Sequence, residues 1–149
     1  MIKALKIIKR IFIGIICIPF VLIILFTVYE FVGIAVNNYS AGRQTKNLID
    51  NIENIESVEI LDSYTYCGST GNGNHVDMLS LVLVRTEYEP DEISCYIQSD
   101  EDYSIVSCEN IAEYDSRFYN QLEYPENKGN CYIIKIFNSA PFVDNIMGH

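Results

Sequence analysis

Residues 11–29 read IFIGIICIPFVLIILFTVY, and this stretch decides the architecture of the chain. None of its nineteen residues is charged, and fourteen of them are Ile, Leu, Val or Phe. A helix needs about 20 such residues to cross the hydrocarbon core of a bilayer. At roughly −0.3 to −0.6 kcal/mol each, these side chains contribute about −4 to −8 kcal/mol to membrane insertion. We therefore predict a single transmembrane helix over residues 11–36, acting as a signal anchor.

The charges on either side of this apolar run predict its orientation. Four basic residues and no acidic residue lie in segment 1–10, whereas only Arg43 and Lys46 follow at a comparable distance. An excess of Lys and Arg flanking a span stays in the cytoplasm. We therefore expect 1–10 to be a basic cytoplasmic N-terminus, 37–44 a juxtamembrane linker and 45–149 an extracytoplasmic domain.

A cleaved signal peptide is the alternative interpretation, and it would release a secreted domain. Gly33-Ile34-Ala35 fits a small-x-small cleavage site. Against cleavage, the apolar run exceeds the ~7–15 residues of a signal-peptide core, and Glu30 interrupts the approach to the site. Cys17 follows Ile16, where a lipoprotein signal has a small residue, so we interpret Cys17 as an apolar side chain of the span.

The chain after Val36 is strongly acidic. It contains 19 Asp and Glu against 6 Lys and Arg, a formal charge of −13. Such a surface repels phosphate backbones, which argues against nucleic acid as a partner and favours a neutral or basic protein. A segment of about 105 residues can bury one core and not two.

Hydrophobic periodicity in this segment predicts an α+β domain with a mostly antiparallel sheet and two or so helices. Apolar residues at helical spacing predict one helix over 45–55. The Glu89-Pro90 start predicts another that ends near Gln98, because proline fits the first helical turn. Residues 111–124 fit either a weak helix or an edge strand. Strands are predicted by alternating or continuous apolar residues at 57–67, 78–84, 103–108 and 131–137.

The second of these strands is almost continuously apolar, so we expect it to be central with both faces covered. It follows the first strand through a Gly/Asn-rich loop, which predicts a hairpin. Tyrosine is frequent, and Tyr64, Tyr66, Tyr88 and Tyr132 are interpreted as packing within strands.

Four cysteines, Cys67, Cys95, Cys108 and Cys131, lie in the domain. An even number in a small exported domain predicts two disulfides, with three possible pairings. If Cys67 ends one strand and Cys131 begins another, a bridge between them fits, which leaves Cys95 and Cys108 for the second. Four free thiols are expected only in a cytoplasmic domain. The spacing lacks the close pairs of a zinc site, and we predict no metal and no cofactor.

The loop from Gly68 to Asn74 is the candidate contact region for a ligand or partner. It matches neither the P-loop nor the dinucleotide fingerprint, and a strand follows it rather than a helix. Its exposed amides and a neighbouring imidazole would still offer hydrogen bonds. The residues concerned are Gly71, Asn72, Gly73, Asn74 and His75.

A hydrolase is the competing functional interpretation. Cys67-Gly68-Ser69 resembles the start of the papain-like signature, but Thr70 and Gly71 replace the cysteine and the aromatic residue that follow in that family. The available bases are His75 and the terminal His149. Acidic residues 100–102 lack the spacing of an EF-hand and are interpreted as a solvated run.

Three features carry a wider resemblance: the loop ending in Gly73-Asn74, the apolar strand after it and the terminal Gly148-His149. In these the chain resembles small uncharacterised membrane-anchored proteins of Gram-positive bacteria, and the resemblance implies no activity. We expect a non-enzymatic interaction module of the cell envelope. The alternatives are an envelope hydrolase near Cys67 and His75, or a membrane-tethered domain that faces the cytoplasm.

Overall fold

The computed structural model describes residues 2–71, 73–97, 102–113 and 116–148. A single helix, α1 (Ile2–Ile52), spans 51 residues, which corresponds to about 76 Å. Between Ile11 and Val32 its large apolar side chains are 43–69 % exposed, although the Tyr29 ring contacts the Phe142 ring of the domain with centroids 5.3 Å apart. This part of α1 is long and apolar enough to cross a membrane.

The predicted linker 37–44 is helical and belongs to α1. Asn37 and Gln44 of this segment are buried, because one face of the helix packs on the domain. Gln44 donates from Nε2 to the Ser80 hydroxyl at 2.9 Å and accepts from Asn138 at 3.0 Å. The predicted helix over 45–55 is therefore the last part of α1, and it ends at Ile52 rather than at residue 55.

Four strands form one antiparallel sheet, as the periodicity predicted. Their order is β1-β2-β4-β3, and β1 and β2 form the predicted hairpin. All three neighbouring pairs are antiparallel. The strands are β1 (Val58–Gly68), β2 (Asp77–Thr86), β3 (Tyr103–Ser107) and β4 (Cys131–Ser139).

The sheet is covered on both faces, which explains the unbroken apolar run in β2. Val82 and Val84 pack against the last turns of α1 and against helix α2 (Pro90–Tyr96). Leu81 and Leu83 point to the opposite face, which the segment between β3 and β4 covers. Since strand side chains alternate, only a central strand with two covered faces needs apolar residues at every position.

The segment between β3 and β4 is helical rather than an edge strand. It contains a 3-10 helix (Cys108–Glu113) and the short helix α3 (Ser116–Tyr119). Helix α2 begins where proline predicted it, and the Glu92 carboxylate accepts the Glu89 backbone N–H at 3.0 Å. It ends at Tyr96, with Ile97 already extended, rather than near Gln98 as predicted.

The C-terminal segment, residues 140–148, turns back along α1. Asn145 is fully buried and donates to the Glu30 carbonyl at 2.9 Å, and the Ile146 N–H donates to the Glu30 carboxylate at 2.8 Å. The near end of the sheet is defined here by Gly68, Asp77 and Ser139. It lies beside this segment, towards the apolar half of α1; the opposite end is called the far end.

Candidate functional site

The Gly/Asn loop lies at the near end of the sheet. Gly71 and Gly73 adopt φ of 97° and 113°, which a side chain would strain, so glycine is required at both positions. Arg117 donates to the Thr70 carbonyl at 2.7 Å, and the Thr70 hydroxyl donates to Asp77 at 2.5 Å. These hydrogen bonds hold the loop to the domain and account for the conformation of the loop. Asn72 lies outside the described residues.

His75 lies beside an acidic residue at the surface of the domain. Its Nδ1 lies 3.7 Å from Asp144 Oδ1, and both side chains are exposed. Burial raises the pKa of the Cys67 thiol, and the Asp77 carboxylate raises it further. A nucleophilic cysteine needs the opposite shift, because the thiolate is the reactive form. The raised pKa of Cys67 therefore gives no sign of an activated thiolate, and His149 lies outside the described residues.

The strand register excludes the disulfide that the sequence suggested first. Cys67 lies opposite Met78 and Cys131 opposite Arg85, at the two ends of β2. Along a strand these positions are about 24 Å apart, whereas a disulfide needs Cα atoms within about 7 Å. A bridge between Cys67 and Cys131 is therefore ruled out.

The second bridge of that pairing is also wrong. Cys95 is exposed on α2, whereas Cys108 is buried on the opposite face of the sheet. All five cysteines of the chain are free thiols in the structure. Among the described residues, no group of three or more His, Cys, Asp or Glu side chains is arranged to hold a metal ion.

A cleft that sequence reasoning missed lies at the end of α1. It has a volume of about 380 Å³ and is walled by two tyrosine rings, Tyr88 and Tyr96, with centroids 5.5 Å apart. Tyr96 is 50 % exposed, although large aromatic side chains are usually buried. We call this the tyrosine cleft. Its other lining residues are Asp50, Asn51, Asn54, Ile55 and Glu56.

The electrostatics of the tyrosine cleft are negative for two reasons. Asp50 and Glu56 line it with carboxylates. The last turn of α1 carries no basic residue, so the negative end of the helix dipole is not neutralised there. Desolvation raises the pKa of Tyr88, and the neighbouring Tyr96 and Glu56 add to the shift. On α1, Lys46 is paired with Asp50 at 2.9 Å.

The tyrosine cleft is also far from the apolar half of α1. Val32 is the last residue of the exposed apolar run, and α1 continues from there to Ile52. At 1.5 Å per residue, about 30 Å of helix separates them. The cleft therefore stands clear of whatever surrounds the apolar segment.

A second cleft, of about 650 Å³, opens at the far end of the hairpin. We call it the polar cleft. Arg85 and Glu59 pair within it at 3.1 Å, so its charges are partly neutralised. Ser57 and Asn130 line it with φ of 65° and 57°, conformations that non-glycine residues seldom adopt. It has no aromatic wall, and for that reason we favour the tyrosine cleft as the candidate site.

The sequence contained one usable signal for this site. Tyr88 was assigned to a strand, but β2 ends at Thr86 and Tyr88 lies in the turn before α2. Tyr88 precedes the Glu-Pro helix start and Tyr96 follows it, which indicates that both rings lie at the same helix. What the sequence does not indicate is that α1 ends beside them. No protein-family model, curated protein or solved structure matches the chain.

Proposed function

We propose that this protein is a single-pass membrane-anchored, non-enzymatic binding module that holds a basic segment of a partner protein in the tyrosine cleft. The membrane is the first partner in this proposal. The exposed apolar side chains between Ile11 and Val32 form a belt whose contact with water is energetically unfavourable, whereas the hydrocarbon core of a bilayer accommodates it. With the basic residues at 1–10 in the cytoplasm, the domain stands outside the cell.

The chemistry of the tyrosine cleft supports a cationic partner. An arginine or lysine side chain is attracted by the face of an aromatic ring and by nearby carboxylates. The cleft offers two rings, Tyr88 and Tyr96, with Asp50 and Glu56 beside them. The half-exposed Tyr96 ring is the single observation that carries the proposal, because rigid aromatic residues at a surface contribute much of the binding energy in protein interfaces.

The test uses the full-length protein in nanodiscs of zwitterionic lipid, which does not itself attract cations. The probe is a fluorescently labelled oligoarginine peptide, and the reference is an oligocitrulline peptide of the same length without the charge. We expect the arginine peptide to bind, with an affinity that falls as salt is added. We expect no comparable binding of the citrulline peptide.

Variants then locate the binding site. We expect Tyr96→Ala to weaken peptide binding by about 3- to 30-fold, the range of a cation–π contact. Glu56→Gln should weaken binding and reduce its salt dependence. Tyr39→Ala is the matched control, since Tyr39 is 71 % exposed on α1 outside the cleft. Equal affinity for both peptides would contradict the proposal. So would weaker binding by Glu87→Gln, a change in the polar cleft, combined with unchanged binding by Tyr96→Ala.

A further inference from the structure

Cys108 and Cys131 flank the last residue pair of the β3–β4 ladder, Cys108 as the first residue of the 3-10 helix and Cys131 as the first residue of β4. The register of β3 and β4 pairs Ser107 with Tyr132. Continued one step beyond the ladder, the same register would bring the residue after Ser107 opposite the residue before Tyr132, and these are Cys108 and Cys131, whose thiols also interact electrostatically. Directly opposite residues have Cα atoms about 4.5–5.5 Å apart, within the range that a disulfide spans.

The side chains of this cysteine pair point to the same face of the sheet. Both thiols belong to one hydrophobic cluster, and each is 1 % exposed. Opposite residues on one face are the arrangement that a cross-strand bridge requires. The two other cysteines of the domain lack such a partner position, since Cys67 is at the near end of β1 and Cys95 is on α2.

We propose that Cys108 and Cys131 form a disulfide when the domain folds in an oxidising environment, while Cys67 and Cys95 remain thiols. The oxidant is a small-molecule or protein disulfide. One cysteine thiolate attacks that disulfide, which forms a mixed disulfide and releases one thiol; the second cysteine then displaces the other. The two cysteines lose two electrons, the oxidant disulfide gains them, and the two cysteine protons end on the released thiols.

The disulfide would form while the domain folds and not after folding is complete. In the folded protein, burial raises the pKa of Cys108 to about 11, and the neighbouring Cys131 adds to the shift. A buried, protonated thiol reacts slowly with a disulfide. The bridge would tie the start of the 3-10 helix to the start of β4, so the intervening segment that covers one sheet face would be held at both ends.

The experiment is a refolding of the full-length protein. The protein in detergent is unfolded in guanidinium with reductant and refolded in a buffer of reduced and oxidised glutathione, and free thiols are then blocked. Digestion with trypsin and an Asp/Glu-specific protease separates Cys95 from Cys108, because Asp102 lies between them. We expect mass spectrometry without reduction to show a Cys108–Cys131 linked peptide as the main disulfide species.

Two variants and a melting measurement complete the test. Cys131→Ser should abolish the linked peptide and leave Cys108 as a thiol, whereas Cys95→Ser should leave the linkage unchanged. Reduction should lower the Tm of the refolded wild type by about 10 °C, as expected for a bridge that closes a segment of this length. Linkage of Cys108 or Cys131 mainly to Cys67 or Cys95, or both cysteines remaining thiols in the refolded wild type, would overturn the proposal.

Discussion

The side-chain amide of Asn37 is fully buried, and it forms the two hydrogen bonds with the Phe142 backbone that another backbone segment would otherwise form. It donates to the Phe142 carbonyl at 3.0 Å and accepts the Phe142 N–H at 2.9 Å. A polar group that is removed from water must keep its hydrogen bonds, or its burial costs free energy. Asn37 can therefore be buried between α1 and the C-terminal segment, because its side chain keeps both hydrogen bonds.

We expect Asn37→Ala to lower the free energy of unfolding by about 2–3 kcal/mol, because two backbone groups of Phe142 lose their partner. Asn38→Ala is the matched control. Asn38 is exposed; it donates to the carbonyl of Ile34 in its own helix at 2.9 Å and makes only a weak 4.0 Å contact with Met147 Sδ, so its loss should stay within about 0.5 kcal/mol. Thermal unfolding followed by circular dichroism measures the stability of both variants. Equal losses of stability would contradict this account of the contact between α1 and the C-terminal segment.

Cys108 makes the stability of the reduced protein depend on alkaline pH. An ordinary cysteine has a pKa of 9.0, and burial raises that of Cys108 to about 11. Between these values the unfolded chain has lost the proton and the folded chain retains it, so stability falls as the pH rises from about 9 to about 11. We expect Cys108→Ala to reduce this fall, which denaturant titrations of the reduced protein at several pH values would measure. Identical slopes for both proteins would contradict the prediction.

At the scale of the elements, the close approach of the C-terminal segment to α1 depends on a glycine. A Cβ added to Gly33 would lie 2.5 Å from Asn145 Nδ2 and 3.2 Å from the Phe142 ring. Asn145 cannot move freely, because it is buried and bonded to the Glu30 carbonyl. Gly33 is therefore required by packing and not by its backbone conformation.

The two glycines of this half of α1 should respond to alanine with opposite signs. Alanine normally stabilises an exposed helix position by about 0.5–1 kcal/mol relative to glycine. Gly42→Ala should show this gain, since nothing lies within 4 Å of an added Cβ. Gly33→Ala should destabilise by about 1–3 kcal/mol through overpacking against Asn145. Thermal unfolding of both variants is the measurement, and a gain for Gly33→Ala would show that the C-terminal segment does not dock there.

At the scale of the whole molecule, the chain is a long helix that is apolar along one half and covered by an acidic domain along the other. The charge of −13 after Val36 and the basic residues at 1–10 would place the two ends on opposite sides of a membrane. Cys95 reports on this arrangement, because it is exposed, whereas Cys108 and Cys131 are buried.

We expect a membrane-impermeant maleimide to label Cys95 on intact cells, since the proposed topology places the domain outside. Cys95→Ser is the control and should lose most of the label, because Cys67 is half-buried and Cys17 lies within the apolar run. Labelling is read from the mass of the modified peptide. Label that enters Cys95 only after the cells are permeabilised would place the domain in the cytoplasm and contradict the topology.

The candidate site was less accessible to sequence reasoning than the fold. Loop residues such as Gly71 and His75 were identified from composition, which reports local conformation but not which side chains meet. The tyrosine cleft requires the end of α1 to lie beside Tyr88 and Tyr96, and these elements are distant in sequence. The proposed pairing of Cys108 with Cys131 likewise depends on the register of β3 and β4, which an unaligned sequence leaves open.

The sequence by itself determined the apolar segment, the acidity of the domain and the strands, because these depend on hydrophobicity and periodicity along a few neighbouring residues. It also indicated that β2 is central, since only double-sided burial calls for a continuous apolar run. Only the tertiary structure decided that residues 37–44 continue α1 and that the C-terminal segment packs on it. The physical reason is that Asn37 and Gln44 are polar and suit a linker in isolation, and become buried helix residues only when a distant part of the chain supplies their hydrogen bonds.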